Sequence, residues 1–180
     1  MRKILAVLLP ALMLVGGMGV KVYAADNDSF TITAQVNSTL AIVCMRSDDV
    51  TPYGTWAAGQ KPLSAATPML LTEVVKIVNT STVAINLSGT AANSAAWSAD
   101  TAIGVNKYML KLKSYAAAPA DDATLATALN TATAVVTSTI FGNIATPATN
   151  SFLYVQFTNP TASTSGSGQS IGVTITATVL

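Results

Sequence analysis

Ile171-Gly172-Val173-Thr174-Ile175-Thr176-Ala177-Thr178-Val179 sets Ile171, Val173, Ile175, Ala177 and Val179 on one side of the chain and Gly172, Thr174, Thr176 and Thr178 on the other. A two-residue period belongs to a strand rather than a helix, and branched apolar residues opposed by threonine predict a strand with one buried face. Phe30-Thr31-Ile32-Thr33-Ala34-Gln35-Val36 repeats the device, with Phe30, Ile32, Ala34 and Val36 together on the apolar face.

Between these two, further strands are predicted near residues 39–45, 70–79, 83–89, 106–115, 134–141 and 151–158. Asn79-Thr80-Ser81-Thr82 separates two of the runs with short side chains that bond their own backbone, which predicts a hairpin of Val74–Val78 with Val83–Leu87. Residues 46–69 carry Pro52, Gly54, Gly59, Pro62 and Pro68 and are expected to form a long surface loop. Residues 118–132 place Asp121 and Asp122 ahead of an alanine-rich run, the pattern of a short helix. Ser165-Gly166-Ser167-Gly168 reads as a flexible connection before the last strand. About eight short strands joined by Ser, Gly, Pro and Asn loops predict an all-β fold, a two-sheet antiparallel β-sandwich of immunoglobulin-like or jelly-roll-like kind.

The amino end reads differently. Met1-Arg2-Lys3, the apolar run Ile4–Val20 and the small-residue exit Val22-Tyr23-Ala24 have the parts of an export signal, with cleavage expected after Ala24. A retained membrane anchor is the alternative, but the run is short for a span and Pro10, Gly16 and Gly17 weaken its helix. The expected organisation is therefore a signal helix over 1–24 and one sandwich domain over 25–180. The membrane is met only during export, and the product is expected to be secreted, extracellular or at the cell surface.

Cleavage also changes the electrostatics. Arg2, Lys3 and Lys21 leave with the signal, so nine basic residues fall to six against eight acidic ones, and the net charge moves from +1 to −2. Such a surface has no positive field to gather phosphates, which argues against nucleic acid as a partner. Charged residues make up only 9% of the chain, so Thr, Ser and Asn must hydrate the surface, as suits a secreted structural module.

Catalytic signals are sparse. The chain has no histidine, the commonest general base and zinc ligand. Asp48-Asp49 and Asp121-Asp122 are adjacent pairs, and neighbours in extended or turn segments aim apart rather than at one bond. Asp26, Asp28, Asp48, Asp49, Asp121 and Asp122 fall in loops but lack the spacing of an EF-hand, so they read as turn residues. The expectation is no enzyme activity, no metal and no cofactor.

Cys44 is the single cysteine and sits in the apolar segment Leu40–Met45, where it reads as a small buried hydrophobe, with an intermolecular disulfide as the alternative. Trp56 and Trp97 lie in separate loops. They either cover an end of the core or stack on sugar rings, which makes them candidate residues for contact with cell-surface glycans. Phe152–Phe157 is apolar on both faces and predicts a central strand. Lys107, Lys111 and Lys113 form a basic stripe opposite Tyr108, Leu110 and Leu112, read as a guarded solvent face or sheet edge, or else a contact for acidic partners. Asn27, Asn37, Asn79 and Asn86 match the glycosylation acceptor pattern.

Val78–Leu87, the loop Ala96-Trp97-Ser98, Phe141-Gly142-Asn143-Ile144-Ala145, Phe152–Phe157 and Gln169–Ala177 together resemble uncharacterised secreted bacterial β-sandwich surface proteins. More loosely, they are similar to WxL-type modules and fibre-forming, pilin-like sandwich subunits. The resemblance implies a noncatalytic envelope role and carries over no functional residue. A single cysteine departs from usher-assembled pilins, which have a disulfide pair.

These readings lead to a secreted structural subunit of an extracellular filament, pilus-like fibre or surface layer. Its expected partners are copies of itself, joined through sheet edges or by donation of the strand carrying Phe30, Ile32, Ala34 and Val36. The alternative is a secreted carbohydrate-binding or adhesion module that uses Trp56 and Trp97.

Overall fold

A computed structural model describes residues 40–146 and 149–180. The export signal over 1–24 and the strand expected at Phe30–Val36 lie outside the described residues.

The described domain is mostly β and built of two antiparallel sheets. In chain order its strands are β1 (Ile42–Met45), β2 (Ala66–Pro68), β3 (Val75–Asn79), β4 (Ile85–Ala91), β5 (Ser98–Ala99), β6 (Lys107–Tyr115), β7 (Thr133–Ala134), β8 (Thr139–Ile144), β9 (Asn150–Thr158) and β10 (Val173–Val179). One helix, α1 (Asp122–Asn130), lies between β6 and β7. The larger sheet has the order β1-β3-β9-β6-β5, with β2 also on β9 and β7 also on β6; the smaller has the order β10-β4-β8. β2 and β5 were not expected from the sequence, because two or three residues are too few to display an alternation.

Antiparallel partners share a face, so the pairings identify the core. Leu110↔Phe157, Leu112↔Val155 and Val75↔Leu153 turn these six side chains to one side of the larger sheet. The smaller sheet meets that side through β4. A Cβ on Gly89 would lie 2.7 Å from Leu112 Cδ1 and 3.1 Å from Val135 Cγ1, so the sheets approach closely there because position 89 has no side chain. Ile85, Leu87 and Ala91 flank it, all buried. β9 is central and nearly closed from solvent along its length, as its two apolar faces predicted.

The outer face of the larger sheet is covered by α1. Asp121 caps the helix, its Oδ1 accepting Thr124 N at 2.7 Å, and Leu125 and Leu129 are fully buried beneath it. Asn130 Oδ1 accepts from Gln156 Nε2 at 2.8 Å, tying one helix end to β9, and Asp122 Oδ1 accepts from Leu71 N at 2.7 Å, tying the other to the 3-10 turn Leu71–Glu73.

Three expectations are corrected. The hairpin of Val74–Val78 with Val83–Leu87 does not form: β3 pairs with β1 and β9, whereas β4 pairs with β10 and β8. Residues 80–84 arch from one sheet to the other. Asn79 Oδ1 accepts Ser81 N at 2.9 Å, and Ser81 Oγ donates to Ala41 O at 3.1 Å, so the short polar side chains fix an arch instead of a hairpin turn. Asn79 is buried by this arrangement, which closes that acceptor pattern off in the folded domain.

The strand expected at 134–141 is split. β7 belongs to the larger sheet and β8 to the smaller, and the chain crosses between them around buried Val135. The lysine stripe, finally, guards no edge: β6 is interior, between β9 and β7/β5. Lys107 pairs with Asp100 at 2.7 Å, and Lys111 Nζ donates to Asn130 O at the end of α1.

Tyr108 is fully buried on β6 and its hydroxyl donates to Ala92 O at 2.6 Å. Burial pushes its phenol up to about 12 from an ordinary 10. A phenol raised on folding contributes stability that is intact below its unfolded value and lost as pH rises through the folded one. The melting temperature is therefore expected to fall between pH 10 and 12. Tyr108→Phe should cost about 0.5–1.5 kcal/mol at pH 7 and flatten that alkaline fall; an unchanged alkaline profile in thermal melts would contradict the assignment.

Candidate assembly groove between the sheets

The smaller sheet does not cover the whole inner face of the larger one. Alongside β10 an open groove of about 1240 Å³ runs between the sheets, floored by Leu110, Leu153, Val155 and Phe157. β1 contributes Cys44 to it, β10 contributes Val173 and Ile175, and residues 53–63 form the opposite rim.

β10 bounds the groove as one of the two outer strands of its sheet, β8 being the other; among the described residues it pairs only with β4. Its inward residues are identified by register: Val173, Ile175, Ala177 and Val179 stand opposite Ala91, Gly89, Leu87 and Ile85. The two strands differ sharply in burial. Ile85 and Leu87 are 0% exposed, whereas Val173 keeps 40% and Val179 56%. An inward apolar row that stays half open is the mark of a sheet edge lacking a neighbour. The adjoining Leu180 is 58% exposed as well.

Both candidate tryptophans line this groove, although the sequence places them 41 residues apart in different loops. Trp97 lies on Phe157 with ring centroids 6.2 Å apart and planes 19° from parallel, and its Nε1 donates to Ser163 Oγ at 2.8 Å. One indole face is thus spent on the core. Trp56 is half-buried and also packs against the core. Tyr53 secures the rim, donating its hydroxyl to Glu73 O at 2.9 Å.

The Ser/Gly connection, expected to be flexible, is pinned where it lines the groove. Gln169 Oε1 accepts from Ser94 Oγ at 2.9 Å and Ala96 N at 3.2 Å, and Ser163 Oγ donates to Ser165 O at 2.8 Å. Hydroxyls and amides replace the regular ladder in this segment.

Cys44 is half-buried and unpaired, with burial pushing its thiol above the ordinary range. A raised thiol holds less thiolate and is less reactive, which fits packing better than chemistry.

The acidic residues behave as turn and cap groups. Asp48 Oδ1 accepts from Val50 N at 3.0 Å and Thr51 N at 2.9 Å, and these bonds hold its carboxyl below the ordinary carboxylate range. Asp49 pairs with Lys76 at 2.6 Å. Asp26 and Asp28 lie outside the described residues. Among the described residues no three of His, Cys, Asp and Glu converge, and no helix is long and apolar enough to cross a membrane.

The groove itself was not legible in the sequence. Alternation placed Val173, Ile175, Ala177 and Val179 on a buried face, but which strand ends a sheet depends on long-range pairing. Comparison with protein-family models, with curated proteins and with solved structures finds no match to this chain.

Proposed function

We propose that this protein is a secreted, noncatalytic structural subunit of an extracellular filament, pilus-like fibre or surface layer, in which copies join through β-strand edges. The domain is then a sandwich of immunoglobulin-like or jelly-roll-like kind with one strand position vacant among its described residues. The observation that carries the reading is β10, an outer strand with a half-open apolar row beside a groove floored by core residues. Edge strands of this length recruit another strand unless they are charged, bulged or covered. β10 carries no charged residue and no proline.

Negative-stain microscopy of the chain starting at Ala25 tests the proposal. Fibres or sheets are expected at high concentration, and single particles throughout would contradict it.

A second reading has its own support. Trp56 and Trp97 share one groove that Gln60, Lys61, Ser163 and Gln169 also line, so a carbohydrate with apolar and hydroxylated faces would find both kinds of partner. Under that reading, surface polysaccharides quench or shift tryptophan fluorescence and Trp56→Ala removes the response. A Trp56→Ala, Trp97→Ala double variant that binds unchanged rejects it.

A further inference from the structure

We propose that the groove between the sheets binds a small molecule: a single-chain anionic amphiphile of the long-chain fatty-acid class, with its hydrocarbon tail on the apolar floor and its carboxylate at Lys61. The proposal goes beyond the assembly reading and does not rest on it.

Size and lining favour a tail. At about 1240 Å³ the groove exceeds the roughly 300–1,000 Å³ of an ordinary small-ligand cleft. Its floor follows β9 from Leu153 through Val155 to Phe157, about 13 Å at the rise of a strand. Val173 and Ile175 of β10 add an apolar wall. Such a surface offers contact but no hydrogen bonds, so a polar group laid on it stays unpaired.

Several polar side chains around the floor are already committed. Gln169 Oε1 accepts from Ser94 and Ala96, and its Nε2 donates to Ser165 Oγ at 3.3 Å and Ser167 O at 3.1 Å. Ser163 Oγ accepts from Trp97 Nε1 and donates to Ser165 O. A ligand polar along its whole length has to compete with these bonds. A ligand polar at one end only does not.

Charge selects the head group. Lys61 is the only charged residue lining the groove, and it forms no ion pair among the described residues. Asn159, the first residue beyond β9, donates through Nδ2 to Lys61 O at 3.0 Å and Pro62 O at 2.9 Å. These bonds anchor the groove's one cation next to the end of its floor, where a carboxylate meets the opposite charge.

Both tryptophans of the chain line the groove, so intrinsic fluorescence reports its occupancy. Hexadecanoate, kept below its micelle concentration, is titrated into the chain starting at Ala25, held dilute enough for sedimentation to show single copies. A saturable emission shift is expected, and each methylene removed from the tail should weaken binding by about two- to fourfold. Lys61→Met should weaken hexadecanoate about fivefold and leave hexadecanol unchanged. Val173→Asp, at a position 40% exposed, should abolish the shift without changing the circular dichroism spectrum. No shift with hexadecanoate overturns the proposal. So does a shift given only by phosphatidylglycerol vesicles or only by a neutral polysaccharide, which would make the occupant a membrane surface or a glycan. Equal affinity of wild type and Lys61→Met for hexadecanoate overturns the anionic head group. Sedimentation at high concentration reads assembly separately, so failure of either reading is seen apart from the other.

Discussion

Leu112→Ala is expected to lower the free energy of unfolding by about 2–5 kcal/mol, a large share of the roughly 5–15 kcal/mol that holds a domain of this size together. Leu112 is 1% exposed at the middle of β6, opposite Val155 and directly under Gly89. Val135, fully buried in the crossing from β7 to β8, and the partly buried Phe141 are the other side chains nearest position 89, and how far they relax into the space sets the loss within that range. Chemical denaturation of wild type and variant reads it, and a difference below about 1 kcal/mol would show that the sheets do not meet at this point.

A second large effect is expected at Gly142. A Cβ there would collide with Ser114 Oγ and come within 3.0 Å of Ser114 Cβ, because β8 lies close over the end of β6. The hydroxyl can rotate away but Ser114 Cβ cannot, so Gly142→Ala should destabilise by about 1–3 kcal/mol through overpacking. The signature is its coupling. In a Gly142→Ala, Ser114→Gly double variant the clash disappears, and the combined loss should be smaller than the sum of the two single losses. Strict additivity would contradict the contact.

These sites show what the sequence makes legible and what it hides. Period two located most of the long strands: β1 falls within 39–45, β3 within 70–79, β6 within 106–115 and β9 reaches one residue before 151–158. The helix was legible from Asp121, since a carboxylate ahead of alanines is a local signal for a local structure. Sheet membership was not. Asn79-Thr80-Ser81-Thr82 has the composition of a tight turn, yet it makes an arch because Ser81 binds Ala41, a partner 40 residues away. The split between β7 and β8 likewise depends on Thr90, whose Oγ1 accepts Ser138 N at 3.0 Å as the chain changes sheets. Of the candidate site, the tryptophans and the alternating face of β10 could be read in advance. Their meeting in one groove could not, because it requires both sheets to be placed.

The account's central claim is that β10 is an acceptor edge. Val173→Lys with Val179→Lys places two charges on side chains that are 40% and 56% exposed in the domain, so the fold is retained while a docked strand would have to bury them. A buried valine contributes about 1.5–3 kcal/mol, so losing both contacts should weaken association by on the order of a hundredfold or more. Sedimentation velocity across a wide concentration range is the direct measurement. Wild-type chain starting at Ala25 is predicted to grow into multimers with rising concentration while the double lysine variant stays monomeric with an unchanged circular dichroism spectrum. A wild type that remains monomeric, or a lysine variant that assembles equally well, would contradict the claim.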